Sequence, residues 1–141
     1  MEADVAVDKP RNRSVAMLRG YHGSQTAAEA TRRLGIEPTS TQAAEEYSSF
    51  LSGPTGIAGW FYEVEASGAR GGPSAIELLC ERLAQKQTEL RALHAAGWAF
   101  DVVLRWPHVG LGGPTFSPEV MQCLSRLGLS VWVMIISSEA T

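Results

Sequence analysis

A strand, a turn, a capped helix, then Leu-Gly and another strand: this unit is spelled twice in the chain, around Gly20 to Ile36 and, more clearly, around Phe100 to Ile136. The first copy runs from Ser14 to Tyr21, turns at His22-Gly23-Ser24, enters a helix after Thr26 and leaves through Arg33-Leu34-Gly35-Ile36. The second runs from Trp98 to Trp106, passes a glycine loop into Ser117-Pro118-Glu119, and leaves through Arg126-Leu127-Gly128-Leu129. Glycine after each helix is the expected left-handed stop, because without a Cβ it takes positive φ freely. The pattern predicts two strand–helix–strand units joined by a long central helix. With only two copies of unequal length, it is a weak internal duplication and no solenoid.

The connecting segments sharpen this reading. Residues 1–13 read as a polar N-terminal tail, and 14–137 as one domain. The basic stretch Lys9 to Arg19, which includes Pro10, reads as a solvated arm. Thr26-Ala-Ala-Glu29 and Ser74-Ala-Ile-Glu77 each have the form of a capping box, which places helices over 27–34 and about 74–96. The long helix carries Ile76, Leu79, Leu83, Leu90 and Leu93 on one stripe. Ser117 with Pro118 opens the third helix. Ala43, Tyr47 and Phe50 recur at helical spacing, so a short helix is expected before Gly53-Pro54, in a segment that serves either as a packed connection or as a lid or docking element.

Alternation assigns the strand faces. Trp60, Tyr62 and Val64 point inward, with Phe61, Glu63 and Glu65 opposite; Trp98, Phe100, Val102, Leu104 and Trp106 form an apolar face, with Asp101, Val103 and Arg105 opposite. Leu129 to Ile136 is apolar on both faces and is expected to lie centrally in the sheet. Extra short strands are expected near 36–38 and 115–116. The fold class that follows is α+β, a two-layer sandwich whose mainly antiparallel or mixed sheet of four to five strands carries helices on one face.

Composition narrows the function classes. A net charge of −3 over 141 residues argues against general nucleic-acid binding, which rests on many phosphate contacts from Lys and Arg. The N-terminus lacks an apolar leader, and the longest apolar run, Val131 to Ile136, is far shorter than a membrane span. Cys80 and Cys123 follow no zinc or redox spacing and sit where small buried hydrophobes belong. A cytoplasmic protein with reduced thiols is the simplest reading.

Arg33-Leu-Gly-Ile-Glu-Pro-Thr39, Gly59-Trp60, the leucine-striped helix with Leu93 and Gly97, and Ser117-Pro-Glu-Val with Leu124-Ser-Arg-Leu-Gly-Leu129 resemble a bacterial family of uncharacterised proteins, domain-of-unknown-function family 4279. The resemblance covers roughly 14–136. It implies a stand-alone cytoplasmic α+β domain. Some similar small α+β proteins act as immunity partners of secreted toxins, so it also suggests a protein partner of that kind.

Candidate chemistry is sparse. His22 and His108 occupy corresponding turns and could share a metal or a proton if the sheet brought those turns together, but no third ligand at a metal-like spacing accompanies them. There is no nucleophile elbow. Arg70-Gly71-Gly72-Pro73-Ser74 leads into a helix, where free N–H groups could hold an anion. The most useful surface is the sheet face away from the helices, where alternation gathers Arg19, Tyr21, Phe61, Glu63, Glu65, Asp101 and Arg105, with Trp132 beside them. The expectation is therefore a small non-catalytic protein-interaction module without cofactor or metal, bound to a protein such as a cognate toxin and to neither nucleic acid nor membrane. The alternative is a regulatory domain with a small-ligand pocket between the sheet and 39–58.

Overall fold

The computed structural model describes residues 14–43, 47–48, 53–54, 56–66, 72–108 and 113–137. The N-terminal tail, Arg70 and Gly71 lie outside them. The strands are β1 (Val15–His22), β2 (Ser40–Gln42), β3 (Tyr47–Ser48), β4 (Gly53–Pro54), β5 (Ala58–Glu65), β6 (Ala99–His108) and β7 (Val131–Ser137). Five of them form a mixed sheet in the order β2-β5-β1-β6-β7, while β3 and β4 pair separately. β1 runs antiparallel to β5 and β6, β2 antiparallel to β5, and β7 parallel to β6. The helices are α1 (Ala27–Leu34), α2 (Ala75–Leu83), α3 (Gln87–Ala95) and α4 (Pro118–Leu127). They pack against one face of the sheet, which gives the expected α+β two-layer arrangement.

The two copies of the unit are realised differently. β1-α1-β2 returns to the sheet with β5 between its two parallel strands, whereas β6-α4-β7 returns to the adjacent position. The repeat is thus a repeat of local chemistry. Gly35 and Gly128 stop α1 and α4 at φ 69° and 73°. Ser74 accepts from Glu77 N while Glu77 reaches back to Ser74 N, and Ser117 accepts from Val120 N.

Several expectations need correction. Thr26 makes no side-chain cap; Glu29 instead takes Arg32 Nη2 at 2.6 Å, so the carboxylate needed for a capping box is already engaged. The long helix is two, interrupted at Ala84-Gln85-Lys86, where Lys86 N bonds Leu83 O at 2.9 Å and Lys86 takes φ −108°. The break lets α2 pack on β1, β5 and α4 while α3 turns to α1, α4 and β6. Residues 36–38 form no strand, and where a helix is expected Tyr47–Ser48 instead pairs antiparallel with Gly53–Pro54, Phe50 lying outside the described residues; ahead of that pair the chain forms β2. Thr39 N bonds Phe61 O at 2.7 Å, so the open edge of β5 captures this stretch. Residues 113–117 form no strand.

The largest correction concerns Val131 to Ile136. Apolar on both faces, it reads as a central strand, yet β7 is an edge. The short return through α4 delivers it beside β6, whose other side β1 already occupies.

The core lies between the inner face of the sheet and the helices. Trp60, Trp98, Leu18, Leu34, Ile76, Leu79, Leu83 and Leu93 are almost wholly buried there. Buried indole N–H groups need partners. Trp60 Nε1 donates to Thr31 Oγ1 at 2.9 Å, and Trp98 Nε1 to Gln25 Oε1 at 2.8 Å. Each bond ties an indole to α1 or to the turn that precedes it. Among the described residues no helix is long and apolar enough to cross a membrane.

Candidate functional site

Strand alternation carries Arg19, Tyr21, Phe61, Glu63, Glu65, Asp101, Arg105 and Trp132 to the sheet face away from the helices, as expected. Register then decides which of them meet. Arg19 lies opposite Phe61 on one side and Asp101 on the other. Its guanidinium grips Asp101 in a two-point pair, Nε to Oδ1 at 2.6 Å and Nη2 to Oδ2 at 3.0 Å. That hydrogen bond is the main cause of its raised pKa. The same guanidinium sits 5.2 Å from the Trp132 ring centroid and 5.8 Å from that of Tyr21. Tyr21 meets Phe61 edge-on at 5.7 Å. Arg105 Nη2 donates to Glu63 Oε2 at 3.0 Å. Ion pairs this exposed contribute little stability, ~0.2–1 kcal/mol each. Their effect is to hold a face on which two guanidinium groups, Arg19 and Arg105, and three aromatic rings, Tyr21, Phe61 and Trp132, have fixed positions.

Beside this face runs β7. Trp132, Met134, Ile135 and Ile136 are all exposed, Trp132 by 52%. Trp132 and Met134 pair in register with Val103 and Arg105, which puts them on the same face as the charged ladder. Sequence reasoning found Trp132 but missed Met134, Ile135 and Ile136, because a strand taken as central has no free edge. The signal was present: Ser130 to Ser137 carries no charge and no proline.

The other candidates have structural employment. His22 Nδ1 accepts from Ser24 N and Gln25 N, both at 2.9 Å, which leaves the proton on Nε2 to donate to Ala96 O at 2.7 Å. His22 thereby fastens the turn after β1 to the end of α3. Its ring also fills the space over Gly97, where an added Cβ would come within 2.9 Å of Nε2. His108 lies at the opposite end of the sheet, opposite Ser137, roughly 30 Å along the strands from His22 at ~3.3 Å per residue. The two cannot share a metal. At the N-terminus of α2 the Glu77 carboxylate already takes the Ser74 amide, so an anion held by Gly72 and Ser74 would meet a like charge.

Cys80 and Cys123 face each other between α2 and α4, with Cys123 Sγ donating to Cys80 O at 3.8 Å. Burial, then the hydrogen bond with Cys123, pushes the Cys80 thiol up from its ordinary 9.0 to about 12. The unfolded chain therefore loses this proton first, and stability that is complete below pH 9 falls as pH rises from 9 toward 12. Urea midpoints measured across that range should drop less in Cys80→Ala than in the wild type. Equal slopes would contradict the assignment.

Residues 12–138, nearly the whole chain, match the family described as domain of unknown function (DUF4279). The chain belongs to that family. No curated protein and no solved structure gave a significant match. For this DUF4279 domain the motifs behind the resemblance are mostly caps, stops and core positions, among them Gly35, Trp60, Ser117 and Gly128, while Gly59 lies on the charged and aromatic face, opposite Tyr21 and against the Phe61 ring.

Proposed function

We propose that this chain is a non-catalytic binding domain that engages another protein through the sheet face away from its helices, with β7 forming the border of the contact. The observation that carries this reading is β7 itself: an uncharged edge strand, apolar on both sides, with Trp132, Met134, Ile135 and Ile136 exposed. Proteins that remain alone blunt their sheet edges with charge, proline or brevity. The opposite edge follows that rule, since β2 is only Ser40–Gln42. An aromatic and arginine cluster next to an apolar strand has the composition of a protein-binding hot spot, in which Trp, Tyr and Arg supply most of the energy. Both nitrogens of His22 are occupied by backbone, and both thiols are buried, which supports binding over catalysis.

The finer form of the proposal is an immunity-type protein of the cytoplasm that neutralises a cognate toxin by covering its active site. Growth rescue on co-expression with that toxin tests this form. For the coarser reading, a partner captured with the wild-type chain is purified and titrated calorimetrically against wild type, Trp132→Ala and Tyr21→Ala. Trp132→Ala is expected to cost about 2 kcal/mol or more, roughly thirtyfold in affinity. Folded variants of both residues that bind as wild type does would overturn the proposal.

A further inference from the structure

A cavity of about 300 Å³ opens on the helix side of the molecule, where α3, the start of β6 and the end of α4 meet. Its walls carry Arg91, His94 and Arg126, and its floor is Trp98, Phe100 and Leu129. Trp98 and Phe100 stack, 5.7 Å between centroids and 25° between planes, and because Trp98 is almost wholly buried it is the half-buried Phe100 that offers accessible ring surface. Four arginines elsewhere are engaged, Arg19 by Asp101, Arg32 by Glu29, Arg82 by the Tyr62 hydroxyl and Arg105 by Glu63, while the exposed Arg33 has no hydrogen bond or ion pair among the described residues. The side chains of Arg91, His94 and Arg126 have no such partner among the described residues. What sets this cavity apart is that two unpaired guanidinium groups border one apolar space, a setting that suits an anion.

The end of α4 does not oppose this. Its carbonyls would repel an anion if they were free. Leu124 O, Ser125 O and Arg126 O are instead bonded by Leu129 N, Gly128 N and Gln87 Nε2 at 2.9, 3.0 and 3.1 Å. Arg126 also borders a wider cavity of about 540 Å³, but Glu77, Glu81 and Glu119 line that one and disfavour an anion there.

We infer that this cavity is a binding site for a small organic acid with a planar apolar body, the carboxylate held by Arg91 and Arg126 and the ring packed against the half-buried Phe100. Ligand sites are commonly apolar clefts with a few convergent polar groups, and ~300 Å³ is the lower end of their range. At ~30 Å³ per water the space replaces about ten waters, which suits a single or fused ring with one acidic group. A planar fork binds a carboxylate through two parallel hydrogen bonds, which a lysine could not do. The site lies on the opposite side of the sheet from Trp132.

The test uses the full chain, isotope-labelled, titrated with naphthoate and separately with the neutral naphthylmethanol while amide and indole resonances are followed. Saturable shifts at the Trp98 indole and the Gly128 amide are expected with naphthoate, with affinity at least tenfold weaker for the alcohol and for the Arg91→Gln/Arg126→Gln variant. Both arginines are exposed, so the variant should stay folded. Trp132→Ala should bind naphthoate as wild type does, which keeps this site separate from the protein-binding face. The inference is overturned if millimolar naphthoate gives no saturable shift, if the shifts gather at Trp132, or if loss of both arginines leaves the affinity unchanged.

Discussion

Replacing Trp60 with alanine is expected to lower the free energy of unfolding by about 3–5 kcal/mol. The side chain is completely buried, 6.1 Å from the Phe100 ring and 6.3 Å from that of Tyr62. Truncation leaves a void that the sheet and α1 cannot close together, because β5 is held on both sides, by β2 and by β1. It also strips the Thr31 hydroxyl of its indole donor. Against a total stability of ~5–15 kcal/mol for a domain, a loss of this size moves a urea transition by a large fraction of its midpoint. Trp60→Phe keeps most of the volume and should cost less. A loss in Trp60→Ala below about 1 kcal/mol, typical of a surface change, would contradict the place given to this residue in the core.

Gly20→Ala is the second large effect, although it adds a single methyl group. A Cβ at this position would lie 2.3, 2.7 and 2.8 Å from Phe100 Cε1, Cζ and Cδ1. Gly20 is directly opposite Phe100 in the register, and the ring crosses β1 only because no side chain stands there. The ring cannot swing aside cheaply, since Trp98 and Trp60 flank it at 5.7 and 6.1 Å. Overpacking of this kind costs ~1–3 kcal/mol, and the upper end is expected here. The cause can be isolated with a second change. Phe100→Leu removes the clashing ring edge, so the pair should lose much less than the sum of the two single losses, a coupling that a double-mutant cycle reads directly. Strict additivity would show that the cost of Gly20→Ala arises elsewhere.

How far the sequence led depends on how local the governing chemistry is. Caps and stops such as Ser74 with Glu77, Ser117 with Pro118, and Gly128 were legible because each is decided within four residues. The sheet faces were legible because period-two alternation survives whatever strand lies alongside. Thr26 with Glu29 failed through competition, since Arg32 offers Glu29 a stronger partner one turn on. The break at Ala84-Gln85-Lys86 carries no glycine or proline, and Leu83 and Leu90 stay seven residues apart across it, so the apolar stripe conceals the change of direction. β2 is held by the free edge of β5 and owes little to its own Ser-Thr-Gln. The misplacement of β7 is the informative failure. Apolar residues on both faces imply burial on both faces, and the described residues do not supply it. A local rule broken without compensation inside the molecule is the kind of conflict that marks a functional surface.

The measurement that tests the binding-face account most directly is hydrogen exchange of the chain alone and in complex with its captured partner. The added protection is expected on β7, at Val131 to Ile136, and on the β1 and β6 segments around Arg19 and Asp101, while α1, α2 and α3 exchange as they do in the free chain. Protection confined to the helices, with β7 unchanged, would contradict it.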